Sequence, residues 1–196
     1  MDPYFSSTIS FDDNRILDED GNAIMMGWED PIMKDAAEII CKNGGKILNV
    51  GFGMGLIDNY IQSHNPEEHW IIEAHPQIIE KMKSEGWDKK PNVNCIFDKW
   101  QNVYKNLPQF DGIYFDTWLE CRDNFRDNAL NILKPNGIYS YFNGDHEKNE
   151  WAKKNVSVET KVTNLNNIDL NQRNDGTFYW DPNKTKYTHL IITKNE

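Results

Sequence analysis

The stretch NVGFGMGLIDNYI, Asn49 to Ile61, sets Gly51, Gly53 and Gly55 in one turn directly after the apolar run KILNV. Leu56, Ile57, Tyr60 and Ile61 follow at helical spacing, so the turn joins a strand to a helix. Glycines there let backbone approach a ligand, because no Cβ stands in the way. Outward from this turn the same alternation repeats. Before it, WEDPIMKDAAEIICKNGG reads as a helix: Asp30 can cap, Pro31 suits the first turn, Ile32, Ala36 and Ile40 recur every four residues, and Asn43-Gly44-Gly45 ends it. After it, HWIIEA is a strand, and a helix runs from Pro76 through Ile78, Ile79 and Met82 to Gly86. VNCIF is a strand, KWQNVYKNL a short helix, and FDGIYFD a strand. The segment ending DNALNILKPNG is a helix with Phe125, Ala129 and Ile132 on one face, and GIYSYFN is again a strand. This alternation predicts an α/β fold with a mostly parallel, doubly wound sheet. VSVETKVTNL and KYTHLIITK are β-rich with no long helix between them, which predicts a terminal antiparallel strand pair at the sheet edge. The first 23 residues read as a polar, turn-rich lead, with DEDGNA as a turn.

With 196 residues, 38% of them hydrophobic, the chain can bury one good core, and no linker or repeat divides it; residues 1–196 read as a single domain. No apolar run approaches the roughly 20 residues that span a bilayer, and the start MDPYFSSTISFDDN lacks a basic-then-apolar signal. A cytoplasmic protein is expected, with the nucleus as the alternative compartment and no membrane partner; a monomer or homodimer is expected. Cys41, Cys95 and Cys121 are odd in number and form no CxxC pair, so reduced thiols are expected. Acidic residues exceed basic ones by 31 to 21, a net charge of −10. Such a surface repels RNA or DNA and favours a cationic ligand, although solubility alone would also account for it. The five histidines show no HExxH-like spacing, and no metal site is expected.

A loop between the first strand of a parallel sheet and the next helix is where ligands bind. The dinucleotide fingerprint GxGxxG would place a glycine where Leu56 stands. The spacing is GxGxG, the form common in methyltransferases that use S-adenosylmethionine (AdoMet); a purely structural turn is the competing reading. Three later features add weight. Glu73 ends the second strand, where a carboxylate can accept two ribose hydroxyls. Trp100 follows the third strand and offers a flat surface to an adenine face. Asp116 ends the fourth strand, where the sheet opens towards substrate. Each has a plainer alternative: a surface carboxylate, a core residue and a turn former. Their order on an alternating pattern favours AdoMet over NAD. Asn49 is a departure, since many methyltransferases carry an acidic residue two positions before the first glycine.

AIMMGWEDPIM (residues 23–33), NVGFGMG, WIIEAHP, FDGIYFDT and YFNG together resemble the guanidino-group N-methyltransferase family. That family holds guanidinoacetate N-methyltransferase and the fungal-type protein arginine methyltransferase acting on the delta nitrogen. The resemblance runs from Tyr4 to Asp116 and continues more loosely to the end. EAHP, KKPNVN, YFNG and the lead YFSSTISFDDNRILDEDGNAIMMGWE look like the arginine branch. The ankyrin-type repeats that precede the catalytic part in fungal arginine enzymes are not in this sequence, and the segment between Asn143 and Val156 is shorter than the family's. The resemblance implies a seven-stranded Rossmann-like AdoMet-dependent fold whose residues 1–30 close over the cofactor. It implies cofactor contacts at Tyr4, Met25, Val50, Gly51, Phe52, Gly53, Met54, Gly55, Glu73, Ala74, His75, Lys99, Trp100 and Asp116. It implies that Glu29 and Asp116 are catalytic and bind the guanidinium, with Trp28 and Asn143 also at the substrate. Physical chemistry supports the acidic pair independently. Two carboxylates can grip the planar guanidinium, aim one nitrogen at an activated methyl group and take the proton. Glu29 could otherwise serve as a helix-start carboxylate. Trp28, Tyr114 and Trp118 could wall a cation pocket or simply fill the core. The implied acceptor is arginine in a protein. Guanidinoacetate or another small guanidino compound is the runner-up, and an AdoMet-binding protein without turnover a third reading.

Overall fold

The structure, a computed structural model, describes residues 3–117, 122–143, 151, 155–166 and 183–196. The lead is more ordered than its sequence suggests. After a 3-10 turn (Pro3–Ser6) come β1 (Ser10–Asp12), β2 (Arg15–Leu17) and β3 (Ala23–Met26), paired antiparallel in that order. Strands this short show no usable alternation, and β1 is exposed along its whole length. What holds them is Ile16, Leu17, Ala23, Met25 and Met26, which join the main core.

α1 (Asp30–Ile40) then buries Ile32, Met33, Ala36, Ala37, Ile39 and Ile40. Asp30 does not cap it, because Asp30 is already the first helical residue; its carboxylate instead accepts the Tyr60 hydroxyl at 2.8 and 2.9 Å. The rest follows the predicted alternation: β4 (Lys46–Val50), α2 (Leu56–Ser63), β5 (Glu68–Glu73), α3 (Pro76–Ser84), β6 (Val93–Phe97), α4 (Trp100–Val103), β7 (Phe110–Phe115), α5 (Arg122–Ile132) and β8 (Leu133–Tyr141). β9 (Val156–Asn164) and β10 (Lys186–Lys194) form the expected antiparallel pair.

The main sheet has seven strands in the order β6-β5-β4-β7-β8-β10-β9. The pairs among β6, β5, β4, β7 and β8 are parallel, and β10 adds antiparallel to β8. Side chains alternate across the strands, so two cores form. Ile47, Ile71, Tyr114 and Ile138 pack under α1, α2 and α3. Leu48, Val50, Ile72, Ile113, Phe115 and Tyr139 pack against Trp100, Phe125, Ala129 and Ile132 on the opposite face. Each fully buried isoleucine or methionine contributes about 1.5–3 kcal/mol, which makes α1 the main clamp on its layer. No helix of the described residues is long and apolar enough to cross a membrane.

Candidate active site

The order of strands reverses at β4, whose neighbours are β5 and β7. The loops after β4, β5, β6 and β7 therefore open on one crevice at the switch point, where open α/β sheets bind ligands. The crevice is walled by Val50 to Gly53, Glu73, Ala74, Asp98, Lys99, Trp100, Asp116 and Thr117. The N-terminal lead closes another side with Phe5, Ile24 and Met25, and Met33, Ile57, Ile72 and Ile78 make the wall largely apolar. Lys99 places its ammonium 3.7 Å from the Phe5 ring centre, a cation–π contact that pins the lead across the mouth.

The glycine loop is held from several sides. Gly51 has φ +94°, and a Cβ there would lie 1.9 Å from the Asp116 carbonyl oxygen. Only glycine fits this crossing. The loop's N–H groups are all engaged: Gly51 with Ile72 O at 2.9 Å, Phe52 with Glu73 Oε2 at 2.9 Å, Met54 with Met25 Sδ at 3.1 Å, and Gly55 with Phe52 O at 2.8 Å. Gly53 N–H also reaches the Glu73 carboxylate. A phosphate cradle needs free N–H groups, and this loop has none to give. Glu73 also accepts Ala74 and His75 N–H at 2.7 Å each. Four backbone donors thus surround one carboxylate, and ribose hydroxyls would have to share its lone pairs. Burial still raises the Glu73 pKa, against the opposing pull of those backbone bonds.

Glu29 and Asp116 come together beside this loop. Glu29, 2% exposed, precedes α1, and its Oε1 accepts Met26 N–H at 2.8 Å. Asp116 follows β7 and floors the crevice, where it keeps partial exposure. Burial, then the charge of Asp116, pushes the Glu29 pKa well above the usual carboxylate range. Burial pushes Asp116 up to about 7. Among the described residues no basic side chain forms an ion pair with either. The Tyr114 hydroxyl lies close enough to feel both carboxylates and has no hydrogen-bond partner among the described residues. Two acids without a counter-ion make a site that gains from a cation.

Of the residues picked from sequence, Met25, Val50, Gly51, Phe52, Gly53, Glu73, Ala74, Lys99, Trp100 and Asp116 share the crevice wall. Met54, Gly55, His75, Trp28 and Asn143 are not part of that wall, and Glu29 lies buried behind it, reaching the site through its neighbour Asp116. His75 is buried at the start of α3, and Trp28 is core. Asn143 turns its amide to β10, donating Nδ2–H to Thr188 O at 2.9 Å, while its N–H reaches the Tyr187 hydroxyl at 2.8 Å. Tyr4 contributes backbone to the 3-10 turn; its side chain, Trp118 and Cys121 lie outside the described residues. Sequence reading missed Asp98, although it follows the third strand much as Glu73 ends the second. It also missed Phe5 and Tyr187, whose contacts are long-range and leave no local signal.

The family model described as guanidinoacetate N-methyltransferase matches residues 6–187. The chain belongs to this family. Within it, protein arginine N-methyltransferase 2 of Aspergillus oryzae is 41% identical over 150 residues, covering 72% of this chain and 36% of that protein. The guanidinoacetate N-methyltransferase-type chain thus spans about a third of the length of the relatives it matches. Likeness to solved structures reaches further but shows the fold alone. Spermidine synthase from Thermotoga maritima superposes with a TM-score of 0.62 at 14% identity, covering 96% of this chain and 72% of that one. The O-methyltransferase TomG from Streptomyces achromogenes, solved with SAM, gives 0.60 at 13% identity, covering 88% and 82%. The family member therefore has the Rossmann-like methyltransferase fold, with its antiparallel terminal pair.

Proposed function

We propose that this chain transfers a methyl group from AdoMet to a guanidino nitrogen, with arginine in a protein as the acceptor. The observation that carries the reading is the Glu29–Asp116 pair, two acids raised in pKa by burial and lacking a cationic partner. A guanidinium offers five N–H donors in a plane and a fixed positive charge, which suits two neighbouring carboxylates.

The crevice fits AdoMet better than a dinucleotide. Its loop has no spare N–H for a pyrophosphate, and apolar Ile24, Met25, Met33 and Ile57 suit the methionine and adenosine parts. Residues 50–53, Met25, Glu73, Ala74, Lys99 and Trp100 would hold it. When bound, AdoMet supplies a methyl group already activated by its sulfonium. The chain's own residues do the rest. Glu29 and Asp116 draw in the guanidinium, neutralise it, and fix one nitrogen toward the crevice. The nitrogen loses a proton as its new bond to carbon forms, and one of the two carboxylates accepts it. The lead, pinned by Phe5 and Lys99, keeps water out.

Relatives named as protein arginine N-methyltransferase 2 support arginine as acceptor. The net charge of −10 supports a cationic partner over a nucleic acid. A labelled-methyl assay of guanidinoacetate beside a cell extract tests the proposal. Label in protein, released as methylarginine, is expected. Label only in guanidinoacetate moves the acceptor to a small molecule, and AdoMet binding without label in either leaves a non-catalytic binder.

A further inference from the structure

The peptide joining Gly51 to Phe52 is gripped at both ends by side chains. Its N–H donates to Glu73 Oε2 at 2.9 Å, and its carbonyl oxygen accepts Asn49 Nδ2–H at 2.9 Å. The same Asn49 Nδ2 donates to both oxygens of Asp58, at 3.0 and 2.9 Å. Asn49 and Asp58 are both 0% exposed. Asp58 stands in the first turn of α2, on its buried face, and its other partner is His69 Nε2 at 3.0 Å. His69 in turn meets Gln62 Nε2 through Nδ1 at 2.9 Å. No lysine or arginine among the described residues forms an ion pair with Asp58.

The chemistry of this group is directional. The Gly51 carbonyl oxygen and both Asp58 carboxylate oxygens accept from Asn49, so the amide between them must face them with its NH₂ end. Turned over, Asn49 would set its own oxygen against the Gly51 carbonyl and lose both bonds. Its Oδ1 has no partner among the described residues, so nothing on that side holds the amide in place. The carboxylate selects the orientation. It also explains why Asn49 can stand where many methyltransferases have an acid: here the acid comes from α2, nine residues on.

We propose that Asp58 is a positioning residue of the cofactor crevice, acting through Asn49 to fix the Gly51–Phe52 peptide plane. That plane carries the Phe52 N–H bond that orients Glu73. It also sets Gly51 against the Asp116 carbonyl, where a Cβ would come within 1.9 Å. A rotated peptide would disturb the carboxylate on the cofactor side and the backbone of the carboxylate on the acceptor side together. The inference rests on the reading of the crevice as an AdoMet site.

A double-mutant cycle on the full chain tests it, with Asp58→Asn, Asn49→Ala and the double variant, read by calorimetric titration of AdoMet and by thermal unfolding. Each single variant is expected to weaken AdoMet binding about tenfold, and the double variant also about tenfold, because Asp58 has nothing to orient once Asn49 is gone. A merely structural role would make affinity follow Tm, and losses that multiply to roughly a hundredfold would mean the two residues act independently; either result overturns the proposal. AdoMet affinity within about twofold of wild type in folded Asp58→Asn overturns it as well. Should Asp58→Asn not fold, Asn49→Ala decides alone, since unchanged affinity there removes the link to the loop. Wild type that binds no AdoMet brings down the cofactor reading itself, a result distinct from any of these.

Discussion

Asp116 shows how far a single carboxylate can set the behaviour of the site. Its folded-state pKa is raised, to about 7, so the empty protein prefers it protonated. The stability this contributes is complete below the unfolded-state value near 4 and is lost as pH rises through about 7. The empty protein should therefore lose Tm from about pH 4 up to about pH 7 through this group and level off above that, and Asp116→Asn should flatten that slope. Scanning calorimetry of both proteins across the interval checks it. Binding a guanidinium reverses the preference, since it needs the ionised form. Acceptor affinity should fall about tenfold for each pH unit below about 7, with protons released on binding. Titration in two buffers of different ionisation enthalpy measures that release directly. In the same Asp116→Asn protein methyl transfer should fall by about 10²–10⁴-fold while AdoMet affinity stays within a few-fold; unchanged turnover would remove Asp116 from the mechanism.

At the level of elements, the glycine loop separates close approach from backbone strain. Gly51→Ala would drive a methyl group to 1.9 Å from the Asp116 carbonyl as well as demand φ +94° of a chiral residue. It should cost more than about 3 kcal/mol in urea unfolding and abolish AdoMet binding. Gly86, after α3, also has positive φ, at +77°, but open space where a Cβ would stand. Gly86→Ala should cost only about 1–2 kcal/mol and leave binding intact. Comparable losses from the two would contradict the crossing at Gly51. The strands and helices around this loop were legible because each carries an apolar run or stripe: KILNV became β4 and VNCIF became β6 over those same residues. Glu73, Trp100 and Asp116 were legible because they stand at or just beyond strand ends, where the fold puts ligands. β1 to β3 were not, since strands of three or four residues offer no period to read. Asp58 was not either: a polar residue in a helix looks solvent-facing until its partners Asn49 and His69 are brought in from separate strands.

At the level of the whole molecule, net charge bears on the choice of acceptor. The chain carries −10, and an arginine-bearing protein substrate of basic character would be attracted over its full surface. Guanidinoacetate is a zwitterion with no net charge and gains nothing from that long-range field. Salt shortens the reach of the field from about 14 Å at 50 mM to about 6 Å at 300 mM, while contact with the buried Glu29–Asp116 pair is screened far less. For a basic protein acceptor, kcat/KM should therefore fall roughly five- to tenfold over that range, most of it in KM. For guanidinoacetate it should change by less than about twofold. Steady-state rates for both acceptors at fixed pH and saturating AdoMet give the two slopes. Parallel slopes would mean that the acidic surface takes no part in capturing the acceptor, and the case for a protein substrate would then rest on the relatives alone.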